Sequence, residues 1–89
     1  MDLNTDQIKK MKQAICYERT KVRKGIYNAW RNSYVSGIHM DPDWEDLVRK
    51  KLAFAWMVGE SRSARYWYSL TDEGIKTLSE ILDIDIIEK

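Results

Sequence analysis

Residues 54–82, FAWMVGESRSARYWYSLTDEGIKTLSEIL, constrain the fold more than any other stretch. Phe54, Trp56 and Val58 alternate with Ala55, Met57 and Gly59, and Arg65, Trp67 and Ser69 alternate with Tyr66, Tyr68 and Leu70. Aromatic and branched residues at period two, bounded by polar turn residues, predict two strands. The five residues between them, GESRS, are polar and contain a glycine, so the connection is a hairpin loop and the strands are antiparallel. Both faces of such a ribbon carry aromatics. One face can lie on a core, which leaves the other partly covered or turned to a partner. Thr71 then has the place of a helix N-cap, its hydroxyl accepting from the N–H groups of Glu73 and Gly74, with Asp72 and Glu73 at the positive end of the helix dipole. Ile75, Leu78, Ile81 and Leu82 form one helical stripe. Gly74 inside that helix costs about 1 kcal/mol relative to alanine. It is either a tolerated weak position or a point of close backbone approach.

Upstream, the N-terminal third reads as helical. Asn4 or Thr5 caps a first helix, and Asn4 with Gln7 approximates a capping box. Ile8, Met11, Ala14 and Ile15 make its buried stripe, with Lys9, Lys10 and Lys12 opposite. Residues 20–25, TKVRKG, form a basic loop that ends at glycine. Residues 26–34 place Ile26, Tyr27, Trp30 and Tyr34 at helical spacing and predict a second, short helix. Asp41 and Pro42 open a third helix over residues 42–52. Acids Asp43, Glu45 and Asp46 lie at its positive end, and Arg49, Lys50 and Lys51 at its negative end. Trp44, Leu47, Val48 and Leu52 supply its buried face. Three readings stay open for residues 83–89: an extension of the last helix, a short strand, or a segment docked on a partner.

At Tyr68, Leu70, Thr71, Gly74 and Leu78 the chain resembles the Y-x-L-T-x-x-G-x-x-x-L signature that closes the wing and opens the last helix of many winged-helix transcriptional regulators. Tyr27, Trp30, Arg31, Asn32 and Tyr34, then Trp44, Glu45, Leu47 and Val48, followed by the strand–turn–strand, resemble a group of small phage and prophage proteins. These are built on a helix–helix–wing–helix plan. The resemblance runs from about residue 8 to residue 82 in order of elements. It implies a winged-helix-like fold; fold alone does not fix activity.

Eighty-nine residues, 44% hydrophobic and 33% charged, allow one ordered domain with a thin, aromatic-rich core. A net charge of +1 gives no global attraction to nucleic acid or membrane. The distribution is uneven: residues 1–35 carry eight Lys/Arg against three Asp/Glu, and the remainder seven against eleven. Cys16 is alone, so no intrachain disulfide forms, and a free thiol fits a reducing cytosol. No apolar run has membrane-spanning length and the N-terminus is polar, so the expected location is the cytoplasm, the host's if the chain is phage-encoded.

Two surfaces emerge as candidate sites. The first is basic: Lys21, Arg23, Lys24 and Arg31, with Arg62 and Arg65 at the wing, interleaved with Tyr17, Tyr27 and Trp30. Such a set contacts phosphates with little sequence preference and steep salt dependence. The helix over residues 42–52 holds the place of a recognition helix, but the acids at its start would be repelled from a DNA groove. The second surface is aromatic: Trp56, Tyr66, Trp67 and Tyr68, with the tail isoleucines, as a contact surface for a second copy or another protein. His39 with Asp41, Asp43 and Glu45 matches no familiar metal-ligand spacing, and capping accounts for the acids. Cys16 beside an apolar stripe has no base partner in the sequence. No cofactor, metal or small-molecule motif stands out.

The expected architecture is one α+β domain over residues 1–89, winged-helix-like, with three N-terminal helices, an antiparallel hairpin wing and a C-terminal helix. The expected role is nucleic-acid binding through a basic face, or alternatively protein–protein contact, with no enzymatic activity.

Overall fold

The computed structural model describes residues 3–60 and 64–88. The elements run α1 (Thr5–Ala14), β1 (Ile26–Ala29), β2 (Tyr34–Gly37), α2 (Pro42–Arg49), β3 (Ala53–Val58), β4 (Arg65–Leu70), α3 (Asp72–Leu82) and β5 (Asp85–Glu88), with a short 3-10 turn at Arg19–Lys21. The class is α+β. Two sheets form: an antiparallel sheet in the order β2-β4-β3 and a parallel pair β1-β5.

The second of the three expected N-terminal helices, over residues 26–34, is replaced by β1 and β2. Tyr27 and Ala29 are buried while Asn28 is exposed, an alternation of period two that the aromatic spacing had disguised. Trp30, counted in the helical stripe, is 64% exposed and belongs to no core face. A tight turn makes the strand possible. Lys24 (φ 53°) and Gly25 (φ 75°) are both left-handed, and Arg23 and Ile26 exchange two backbone hydrogen bonds of 2.9 Å across them. This is the type I′ geometry that suits a glycine at its second position. Of the three readings of the tail, the short strand is the one observed. Asp85 N–H donates to Gly25 carbonyl at 2.7 Å, and Ile26 through Ala29 pair with Asp85 through Glu88. The partner that makes residues 26–29 a strand thus lies nearly sixty residues downstream.

All three α-helices carry the caps that the sequence proposes. Asn4 and Gln7 form the reciprocal capping box, Asp41 accepts from Asp43 and Trp44 N–H, and Thr71 accepts from Gly74 N–H. Their C-terminal ends share one device. Tyr17 N–H reaches Lys12 carbonyl, Leu52 reaches Leu47 and Ile84 reaches Ser79, each five residues back, around a left-handed residue. Those residues are Cys16, Lys51 and Asp83, none of them glycine.

The core is built from Met11, Ala14 and Ile15 of α1, Trp44 and Leu47 of α2, Tyr27 and Ala29 of β1, Ala53, Tyr68 and Leu70 of the hairpin, and Ile75 and Leu78 of α3. Gly74 marks a close approach. A Cβ there would stand 1.9 Å from the Leu52 carbonyl oxygen, so α3 can lie against the start of β3 only without a side chain at 74. Thr71 reinforces the same junction. Its N–H donates to Leu52 carbonyl (3.0 Å) and its hydroxyl to Lys51 carbonyl (2.8 Å).

Candidate functional site

The base of the β3–β4 hairpin is fixed, and that fixes which residues its far half presents. Ala53 pairs with Leu70, and both are buried. Tyr68, two residues from Leu70 on the inner face, stacks on Trp44 with centroids 5.5 Å apart and planes at 16°. Its hydroxyl donates to Glu45 at 2.6 Å and accepts from Asp41 N–H. Burial, and then the Glu45 carboxylate, push the Tyr68 phenol up to about 12. On the outer face Ser69 donates to Asn32 carbonyl. The Asn32 amide mimics a strand partner for Leu70, donating to its carbonyl and accepting from its N–H, both at 2.9 Å.

With the register locked at that end, strand alternation sends Phe54, Trp56, Val58 and Trp67 to the outer face. Trp56 and Trp67 are directly opposed, with ring centroids 6.0 Å apart. Phe54 stacks on Trp56 at 5.6 Å. Val35 of β2 stands opposite Trp67 on its other side. The result is a continuous apolar row across three strands. Phe54 is 50% exposed, Trp56 36% and Val58 48%, and Val35 is exposed with them. A clustered apolar patch of this kind marks a contact surface more often than scattered exposed residues do.

The four aromatics proposed for contact therefore divide. Trp56 and Trp67 lie together on the open face. Tyr66 lies on the opposite face, half-buried against the core. Tyr68 is wholly buried and presents nothing to a partner. Of the tail isoleucines, Ile84 and Ile86 pack on the core and Ile87 is exposed. Phe54 was visible to period-two reading beside Trp56. Val35 was not, because its segment carried a helical aromatic spacing.

The basic candidates are largely engaged within the chain. Lys21 pairs with Glu18 at 3.4 Å. The Arg23 guanidinium donates to Thr20 and Val22 carbonyls at 2.8 and 3.2 Å, and Arg31 donates to Ser33 Oγ and lies 3.6 Å from Cys16 Sγ. Lys24 lines a shallow cleft shared with Lys76, Glu80, Asp83 and Asp85, so its surroundings are mixed in charge. Arg65 opens β4 opposite Val58. Arg62 lies outside the described residues. Tyr27, which was to interleave with these cations, is buried and donates to Cys16 carbonyl.

The acids at the start of α2 serve a different purpose. Lys10 bridges Asp41 and Asp43 at 2.8 and 2.9 Å. Gln7 donates to Asp43 carbonyl and to Asp46 Oδ2. Burial works against the Lys10 charge, but the two carboxylates outweigh it and raise its pKa. Hydrogen bonds from Lys50 and Gln7 hold Asp46 down to about 2. These groups clamp α1 to α2, and Lys10 belongs to that clamp and not to an open basic face.

No protein-family profile, curated protein or solved structure matches the chain. Among the described residues no helix is long and apolar enough to cross a membrane.

Proposed function

We propose that the chain is a protein-interaction module whose contact surface is the outer face of the β2-β4-β3 sheet, centred on Trp56 and Trp67. One observation carries this reading: Phe54, Trp56 and Trp67 are stacked in a continuous row, yet Phe54 and Trp56 stay substantially open to solvent. Rigid aromatics lose little side-chain freedom on binding and dominate the energetics of protein contacts. The face carries aromatic and aliphatic side chains with Arg65 at its far end, a composition suited to binding and not to proton or group transfer. The Y-x-L-T-x-x-G-x-x-x-L sequence resemblance from Tyr68 to Leu78 is what supports reading the chain as a small, phage-type accessory protein acting in the cytoplasm.

Affinity enrichment from nuclease-treated cell extract tests the reading, with the wild-type chain set against a Phe54→Ser/Trp56→Ser variant. A nuclease-resistant protein retained by the wild type and lost by the folded variant is the expected result. Equal retention by both would remove the surface from consideration.

A second reading rests on Arg65 at the end of the same aromatic row. A basic residue beside stacking side chains also suits single-stranded nucleic acid. A mobility-shift assay at low and moderate salt separates the two. Binding that fades steeply with salt and weakens in Arg65→Ser favours nucleic acid, whereas no shift at low salt ends that reading.

A further inference from the structure

The outer edge of β3 is unguarded, and we infer that it pairs with the same strand of a second copy to form an antiparallel homodimer. This inference goes beyond the reading above: it concerns the edge of β3 and leaves the outer face open.

In the sheet order β2-β4-β3, β3 is an edge strand, so alternate N–H and carbonyl groups along it face outward. Its sequence, AFAWMV, has no charge, proline or glycine, and its pairing with β4 runs without a bulge from Ala53 to Val58. Native edges are usually blunted by at least one of these devices. Beyond Ala53 every residue of the strand is exposed, including Ala55 and Met57 on the inner face, so β3 itself, unlike β4 beside it, stands clear of the core.

The strand's own chemistry selects its partner. An acidic or basic peptide would find no complementary charge on residues 53–58. A second copy meets no like charge there, and an antiparallel two-fold makes the contact self-complementary. The flanks then match. Lys51 precedes the strand and Glu60 follows it, so an antiparallel pairing centred on residues 53–58 sets Lys51 of one copy beside Glu60 of the other, while Arg49 and Lys50 pair with Asp46 of their own chain. A two-fold axis normal to the sheet leaves each face on its own side. Phe54, Trp56, Val58, Trp67 and Val35 of both copies then form one apolar face on a six-stranded sheet.

Phe54, Trp56, Met57 and Val58 expose roughly 400 Å² per copy, of which edge pairing covers only a part, well below the ~800 Å² of a standard interface. The dimer is accordingly weak, with a dissociation constant in the micromolar range, and its test must reach high concentration.

Sedimentation of the intact chain from about 5 to about 500 µM, with amide exchange at both extremes, tests the inference. The expected result is a rise from the 10.6 kDa mass of one chain to twice that mass. Alternate amides within residues 53–58 should slow their exchange at the high concentration only. Met57→Lys, which sets an ammonium on the edge, should raise the dissociation constant at least tenfold. If that variant misfolds, Ala55→Lys and the wild-type exchange pattern still decide. A single-chain mass across the range, or concentration-dependent protection elsewhere, overturns self-pairing. A monomer that still retains a nuclease-resistant protein through Phe54 and Trp56 overturns the dimer and leaves the contact surface standing.

Discussion

The α1–α2 clamp and the outer half of the β3–β4 hairpin reverse the usual placement of polar and apolar groups. At the clamp, Gln7 is buried and donates to Asp46, which also pairs with Lys50, and Lys10 pairs with Asp41 and Asp43. At the hairpin, Phe54, Trp56, Met57 and Val58 stand in solvent. Polar groups hold the two helices together, and apolar groups are displayed. A thin domain has few large side chains to spare for its core. Leaving these four outside makes sense where they meet something, and it separates what maintains the fold from what makes contact.

Substitutions at the fixed end of the hairpin should break that separation most strongly. Gly74→Ala drives a methyl group into the Leu52 carbonyl and should cost about 3 kcal/mol or more, read from urea unfolding. Asn32→Ala strands the N–H and carbonyl of Leu70 at the same junction and should cost about 2 kcal/mol. The clamp should also carry pH dependence. Asp46 falls from 3.8 to about 2 on folding, so its contribution is complete above about pH 4 and is lost as pH drops through about 2. Tyr68 rises from 10.0 to about 12, so its contribution is complete below pH 10 and is lost as pH climbs towards 12. Lys10, raised above 10.5, acts on the same alkaline side. Unfolding midpoints across pH should show both limbs, and Asp46→Asn should flatten only the acid one. Lys51, left-handed between α2 and β3, offers the smallest effect: Lys51→Gly relieves its backbone and should stabilise the monomer by about 1 kcal/mol.

Local signals made part of this arrangement legible. The hairpin, its Thr71-capped helix and all three helix starts followed from period-two alternation and short-range capping chemistry. Gly74 was open between two readings, and the Leu52 carbonyl decides for close approach. Residues 26–34 were misread because the partner of β1 is β5, far along the chain, and because Ile26, Tyr27, Trp30 and Tyr34 imitate a helical stripe. The helix ends were obscure since Cys16, Lys51 and Asp83 occupy left-handed positions where glycine is the usual cue. On the open face, Trp56 and Trp67 were found, whereas Tyr68 was misassigned. Alternation gives two faces but cannot say which one packs on Trp44.

Stability and binding measured together on one folded variant, Phe54→Ser/Trp56→Ser, test the division of labour most directly. The expected result is an unfolding free energy within about 1 kcal/mol of wild type, together with loss of partner retention. Unfolding of the domain, or binding that survives unchanged, would contradict it.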